Sequence, residues 1–387
     1  MKIIGPSQIS DFKCIGAKCE DTCCAGWYIG IDEKTYKKYK KVKNPTMKKR
    51  LDKELVAKDT SEEHAAKVKL KNNRCAFLSK EGWCDIYTCL GESYLSETCT
   101  LFPRTFNEVG EEIAYSIALS CPEAARMVLL NREGFKVENL QLELKNYKIS
   151  ASLKLSEKKP QKWQDYLKVL QGTLIGLLQN ENRPVLQRLE DVEDFLLKLD
   201  AISRKQNLKE VEQLIKAYRS LESLPQAYTH PLKQKWENER FQLLLDFKTL
   251  REKKKWPSPF YETYYGEMLK NLDLEENDNL EKLKVLYGEG EKAYLVPFLE
   301  AKGYILTNYF SNYIFERLVP LDGENVLESF IKFKLYKELV LAHLIGFGIG
   351  KDLEENKVVS FIQAFSKVFD HNEIYMYKLL KLQKTKK

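Results

Sequence analysis

The chain has 387 residues, of which 43% are hydrophobic and 31% charged, with a net charge of +7. This is the composition of a globular protein long enough for two or three domains. No stretch is long and apolar enough to span a bilayer, and neither half is strongly basic, so neither stable membrane insertion nor a nucleic-acid partner is expected.

The N-terminus, MKIIGPSQISDF, lacks an apolar core of signal-peptide length, which points to the cytoplasm. In chain order, the first dense feature is FKCIGAKCEDTCCAGW, which carries Cys14, Cys19, Cys23 and Cys24. Residues 25–31 read as a short strand. Asp32 stands where a helix N-cap is wanted, with Tyr36 and Tyr39 facing inward. The lysine-rich stretch from 34 to 58 reads as a solvated helix face, and 44–73 as helical pieces. A second cysteine group follows with Cys75, Cys84, Cys89 and Cys99.

Ile113, Tyr115, Ile117 and Leu119 alternate with small residues, which predicts a strand. Cys121 follows it, and Pro122 is placed as a first helical residue. A cysteine at a helix N-terminus gains from the helix dipole, which favours the thiolate. Residues 135–144 suggest one more strand, and 152–162 a linker. Beyond it, Trp163, Leu167, Leu170, Leu174, Leu177 and Leu178 recur at helical spacing. Prolines at 184, 225, 231, 257 and 259 break the second half into helical hairpins. Its many aromatics read as core. GFGIG at 346–350 follows a helical rather than a strand-like segment, so it reads as a helix end and turn, not a nucleotide loop.

The resulting fold class is mainly α, with a small α+β cysteine-rich metal-binding N-terminal region, a helical C-terminal domain and no Rossmann fold. The expected boundaries are 1–130 for the cysteine-rich domain, 131–160 for a connecting strand and linker, and 161–387 for the helical domain.

All nine cysteines lie within the first third of the chain. In a reducing compartment that density points to metal or redox chemistry, and an odd number suits disulfides poorly. The spacings C-x4-C, C-x3-C and then an adjacent pair match neither zinc ribbons nor bacterial ferredoxins. Neighbouring side chains usually diverge, so Cys23 and Cys24 are expected to serve different centres, or one to serve a centre while the other packs. Four thiolates suffice for one [4Fe–4S] cluster or one zinc, so the surplus is a second centre or structural. Composition leaves iron–sulfur and zinc open. Cys89 reads as a buried small hydrophobe. Of the histidines at 64, 230, 343 and 371, only His371, in FSKVFDHNEIY, has a notable setting.

Together the phrases FKCIGAKCEDTCCAGW, CAFL, GWCDI, LGESYLSETCTLFPR, LSCPEA, TNYFSNYIF and FSKVFDHNEIY resemble the flagellin lysine-N-methylase family, FliB-like. The first part also resembles a broader CxxxCC group described as zinc- or iron-chelating. The resemblance implies methyl transfer from S-adenosylmethionine to lysine side chains of flagellin, the protein of the bacterial flagellum, with a [4Fe–4S] cluster. It places the metal ligands at Cys14, Cys19, Cys23, Cys24, Cys75, Cys84, Cys99 and Cys121, and leaves Cys89 outside the pattern. Lys367 and Asp370 stand where the family pattern leads one to expect Arg and Glu. Near the family phrases, Glu92, Asp370 and His371 are candidate bases, and Arg104 a candidate for the donor's carboxylate. A zinc-stabilised interaction module, or an iron- or redox-handling protein without methyltransferase activity, is the alternative. Oligomeric state is left open.

Overall fold

The computed structural model describes residues 2–61, 64–142, 147–220, 231–253, 258–276, 278–370 and 373–385. The first third is built of short strands and helices. In chain order these are β1 (Lys2–Pro6), β2 (Gly30–Ile31), α1 (Glu33–Lys40), α2 (Pro45–Glu54), β3 (Leu55–Ser61), β4 (His64–Val68), β5 (Leu70–Lys71), β6 (Arg74–Cys75), α3 (Asp85–Leu90), α4 (Glu97–Leu101), β7 (Arg104–Val109), β8 (Glu112–Ile117) and α5 (Pro122–Leu129). Two further strands follow, β9 (Val137–Asn139) and β10 (Ile149–Leu153). The rest is helical: α6 (Leu167–Leu178), α7 (Val185–Ser203), α8 (Leu208–Arg219), α9 (Pro231–Lys253), α10 (Pro259–Asn271), α11 (Leu280–Gly290), α12 (Val296–Lys302), α13 (Tyr304–Glu316), α14 (Val326–Gly348), α15 (Glu355–Phe369) and α16 (Glu373–Thr385).

Several expectations hold. The Asp32 carboxylate caps α1 by accepting the Thr35 N–H at 2.8 Å, and Tyr39 is buried. Pro122 opens α5 directly after Cys121. All the spaced apolar residues from Trp163 to Leu178 are buried. GFGIG closes α14, with Gly350 turning the chain at φ +76.

Others are corrected. Only Gly30 and Ile31 of 25–31 form a strand. Residues 55–61 and 64–68, expected as helical pieces, are instead paired antiparallel strands that β2 extends in the order β2–β4–β3. Ala66 and Val68 face the core while Lys67 between them is exposed, a short alternation hidden among lysines. The strand expected over 135–144 is short, and its residues 143 and 144 lie outside those described. The expected linker begins in β10, and its polar run is pinned by the buried Asp165, which accepts N–H groups of Ser156, Gln161 and Lys162. Pro225 and Pro257 fall outside the described residues.

The largest sheet is mixed, in the order β10–β7–β8–β1–β9, with β10/β7 and β8/β1 parallel. One of its faces joins α5 and the helical half in a single apolar core. A second, smaller core lies under α1, α2 and the short hairpins. The sheet is therefore shared architecture rather than part of the cysteine-rich region alone. Through the helical half runs α14, buried along nearly its whole length against α7 and α10. Its buried Lys337 pairs with Glu193 at 2.6 Å and with Glu338 at 3.2 Å. Buried charges of this kind persist only when paired. No described helix is long and apolar enough to cross a membrane.

Candidate metal centre

A cavity of about 630 Å³ opens where the two cores meet, and eight of the nine cysteines line it: Cys14, Cys19, Cys23, Cys24, Cys75, Cys84, Cys99 and Cys121. The missing one is Cys89. It is exposed rather than buried, which corrects the expectation of a small hydrophobe. Cys75 and Cys121 are buried, Cys14 and Cys23 exposed, and the other four cavity cysteines intermediate.

Short backbone pairings bring distant cysteines together. The Cys75 N–H donates to the Cys24 carbonyl at 2.7 Å, and Gly26 N–H to Asn73 O at 3.0 Å, so the first cysteine loop pairs with the start of the second. A tight turn then returns the chain: Leu78 bridges Cys84, and the Asp85 N–H donates to Phe77 O at 2.8 Å. Cys84 thereby caps α3. Ser96 caps α4 and accepts the Cys99 N–H at 3.3 Å. The Glu97 N–H donates to Asp32, and Tyr39 OH to Tyr94 O, which ties α4 and the turn before it to α1. On the other wall, Gly16 lets the Cys14–Cys19 loop turn at φ +59, with the Trp83 ring packed so close that a Cβ there would meet it at 2.5 Å. Only glycine fits both demands.

The helical half grips this loop. The Lys367 ammonium donates to both Asp21 oxygens at 2.7 and 2.8 Å and to Thr22 O at 2.9 Å. Gln363 Nε2 donates to Asp21 at 3.0 Å and to Ser120 O at 2.8 Å. The Arg126 guanidinium, on the helix that Cys121 caps, pairs with Glu20. Nothing in the sequence announced this clamp. Asp21 is one acid among cysteines, and its partner lies 346 residues on.

Two neighbourhoods emerge among the thiols. Cys24, Cys75, Cys84 and Cys99 each feel the other three electrostatically. Cys19 and Cys14 both neighbour Cys121, and Cys14 also neighbours Cys23. Cys23 neighbours both groups, Cys24 and Cys99 in the first and Cys14 in the second.

Burial pushes the thiols of Cys19, Cys75 and Cys99 up to about 12, with neighbouring thiols adding to the rise. Burial also raises Cys84 and Cys121, against backbone N–H groups at the starts of α3 and α5 that pull the other way. Cys24 alone falls, to about 7, because the Cys23 thiol donates to it, with further help from Thr22, Lys367 and Arg74. The Cys23 thiol rises correspondingly. Crowded sulfurs of this kind become thiolates together only beside concentrated positive charge, which a metal supplies.

Among the described residues, no three histidine, cysteine or carboxylate side chains converge as they would on one ion. The sulfurs ring a cavity instead. Cysteines in this number offer thiolate ligands suited to zinc and to iron–sulfur alike.

The remaining candidates separate. Glu92 and Arg104 line the cavity beside the cysteines. Arg104 lies over the Phe12 ring and donates to Phe12 O at 3.4 Å, with no carboxylate partner among the described residues. Asp370 is not among the lining residues; it accepts from Arg317 at 2.8 Å and from Tyr336 OH at 3.1 Å. His371 lies outside the described residues, as does His230. His343 is buried among aromatics and bonded to Tyr261 OH and Leu339 O, a core histidine.

Residues 171–387 match the family defined by the FliB lysine N-methylase C-terminal domain. A flagellar biosynthetic protein, FliU, of Salmonella muenchen is 32% identical over 126 residues, which cover 32% of this chain and 75% of the relative. The lysine-N-methylases of Salmonella typhimurium and Salmonella choleraesuis are 32% and 31% identical over 126 residues, 31% of each relative's length. The chain thus aligns with about a third of those two enzymes. No solved structure matches.

Proposed function

Starting from the fact that this chain belongs to the FliB lysine N-methylase family, we propose that it transfers methyl groups from S-adenosylmethionine to lysine side chains of flagellin, beside an iron–sulfur cluster held in the cysteine-lined cavity. The observation that carries the cluster is the convergence of eight cysteines, from four separate stretches of sequence, on one cavity. The ligands we assign are Cys24, Cys75, Cys84 and Cys99, which line the cavity and are electrostatic neighbours of one another. Bound there, the cluster would supply Lewis-acidic iron and a redox-active core.

In the transfer, the lysine Nζ lone pair attacks the methyl carbon, the bond from carbon to sulfonium breaks, and S-adenosylhomocysteine leaves. The nitrogen must first be neutral, and lysine ordinarily ionises near pH ~10.4. Glu92 is exposed on the cavity wall and takes the proton. Arg104 pairs with the donor's carboxylate, a role its guanidinium fork suits. Asp370 is engaged by Arg317 and Tyr336, so in this reading it anchors the end of α15 rather than acting as the base. The division into a cysteine-rich region (1–130), a connector (131–160) and a helical domain (161–387) then assigns metal and donor to the first and scaffold to the last.

The test is anaerobic purification with iron, sulfide and zinc analysis, followed by incubation with flagellin and donor and mass spectrometry of the lysines. Cluster-bearing protein that methylates flagellin, and a Glu92→Gln variant that keeps its iron but loses most turnover, are the expected results. Stoichiometric zinc with no methylation would replace this reading with the zinc-stabilised interaction module.

A further inference from the structure

We propose that Cys14, Cys19, Cys23 and Cys121 form a second iron–sulfur centre, next to the one held by Cys24, Cys75, Cys84 and Cys99. This rests on the metal-cluster reading above and goes beyond it, because that reading needs only four ligands.

The argument is geometric. The first set is complete: it contains four cysteines that line the cavity and are electrostatic neighbours pair by pair. Four cysteines lining the same cavity remain without a role. They come from two stretches that the fold takes care to hold together. Gln363 bonds both Asp21 and the Ser120 carbonyl, so a single side chain fastens the loop of Cys19 and Cys23 to the residue before Cys121. The pair of Glu20 with Arg126 ties the same loop to the helix that Cys121 caps. Cys14 turns back to this group around Gly16, whose N–H reaches the Cys14 sulfur at 3.4 Å. Fastenings from three directions are more than a loop needs if its cysteines only fill space.

The adjacent pair explains how two centres can be neighbours. Consecutive Cα atoms stand only about 3.8 Å apart, so two ligand sets that divide Cys23 and Cys24 between them must lie side by side. The hydrogen bond between the two thiols gives way when each takes its own centre. Cys23 is already an electrostatic neighbour of Cys14. The two centres differ in access. Cys14 and Cys23 are exposed, whereas no cysteine of the first set is. The second centre is therefore the one open to solvent and small molecules.

The experiment uses the full chain, reconstituted anaerobically with iron and sulfide. Wild type is expected to carry about eight irons and eight sulfides per chain, and the Cys84→Ser and Cys14→Ser variants about four each. In reduced wild type, two neighbouring paramagnets broaden each other's EPR signal; each variant should give a sharper, single-cluster spectrum. Cys121→Ser should match Cys14→Ser, and because Cys14 is exposed, its replacement keeps the test valid should the Cys121 variant misfold. Cys89→Ser should match wild type. About four irons in wild type, unchanged by Cys14→Ser and abolished by Cys84→Ser, would overturn the second centre and leave the proposed function standing. About four irons plus a zinc lost only in Cys14→Ser would overturn its iron–sulfur identity. No iron in any sample would overturn both readings together.

Discussion

Every residue from 326 to 348 except Lys332 is buried, whereas none from 13 to 28 is. The first stretch is α14, whose phenylalanines, leucines and paired charges form the centre of the helical half. The second is the first cysteine loop, which has almost no apolar core of its own and is held by ion pairs, backbone turns and the cavity it borders. The helical half carries enough buried apolar surface to hold its shape through packing. The cysteine loops must draw their order from contacts made by polar atoms and from whatever neutralises eight crowded sulfurs.

The strongest way to break that comparison is to remove the proposed metal. Anaerobic chelation should strip amide hydrogen-exchange protection from 13–28 and 75–101 while α6, α7, α13 and α14 keep theirs. A structural metal bound by cysteines contributes on the order of 10 kcal/mol to folding in small metal-bound domains, so the loss should be large and confined. Equal protection with and without metal would mean that the loops are held by protein contacts alone.

The converse perturbation is Phe333→Ala. Phe333 is fully buried, with its ring 5.3 Å from Phe310 and 6.1 Å from Tyr313. Truncating a buried phenylalanine costs about 3–5 kcal/mol. Chemical denaturation should show that loss, with iron per folded chain unchanged. Parallel loss of iron would show that the two regions fold as one.

Between these lies the clamp. Lys367 and Asp21 are about 12% and 11% exposed, a nearly buried pair. Breaking such a pair by removing one partner costs up to about 3–5 kcal/mol. Lys367→Ala should therefore release iron several-fold faster to a chelator. Lys367→Arg should retain it, because a guanidinium fork can meet both carboxylate oxygens. Unchanged release from the alanine variant would show that the loop does not depend on the helical half.

The same contrast decides what the sequence revealed. Helices announced themselves wherever a long apolar stripe recurred, as at Trp163–Leu178, because burial of that stripe is what forms them. The strand before Cys121 and the cap at Asp32 were legible for the same local reason. The β3–β4 pairing was not: its inward residues, Ala66 and Val68, are too few and too small to stand out among lysines. At the site, the eight cavity cysteines were recognisable by type and by phrase. Their division into two neighbourhoods was not, because it depends on backbone pairings such as Cys75 with Cys24 that no spacing encodes. The clamp of Lys367 on Asp21 is the plainest case, since the resemblance marked Lys367 as a family position but nothing paired it with Asp21. The exposure of Cys89 was missed for a related reason: composition alone cannot tell which face of a six-residue helix meets solvent.

The most gradual effect is a pH dependence belonging to the helical half. Burial pushes the Glu316 carboxyl up to about 8 from an ordinary 4.5, helped by the charge of Asp370 and opposed by Arg317 and by the hydrogen bond from Asn312. Between those two values the folded chain keeps a proton that the unfolded chain has released. Stability from this group is therefore complete below about 4.5 and is lost as pH rises through about 8. The limiting slope is about 1.4 kcal/mol per pH unit. Glu316→Gln keeps an oxygen for the Asn312 amide and cannot ionise, so its stability should exceed that of wild type increasingly as pH is raised across this window. Denaturant midpoints measured at several pH values for both proteins would give the difference. A constant offset would show that Glu316 is ionised throughout, with Arg317 rather than a proton balancing its charge.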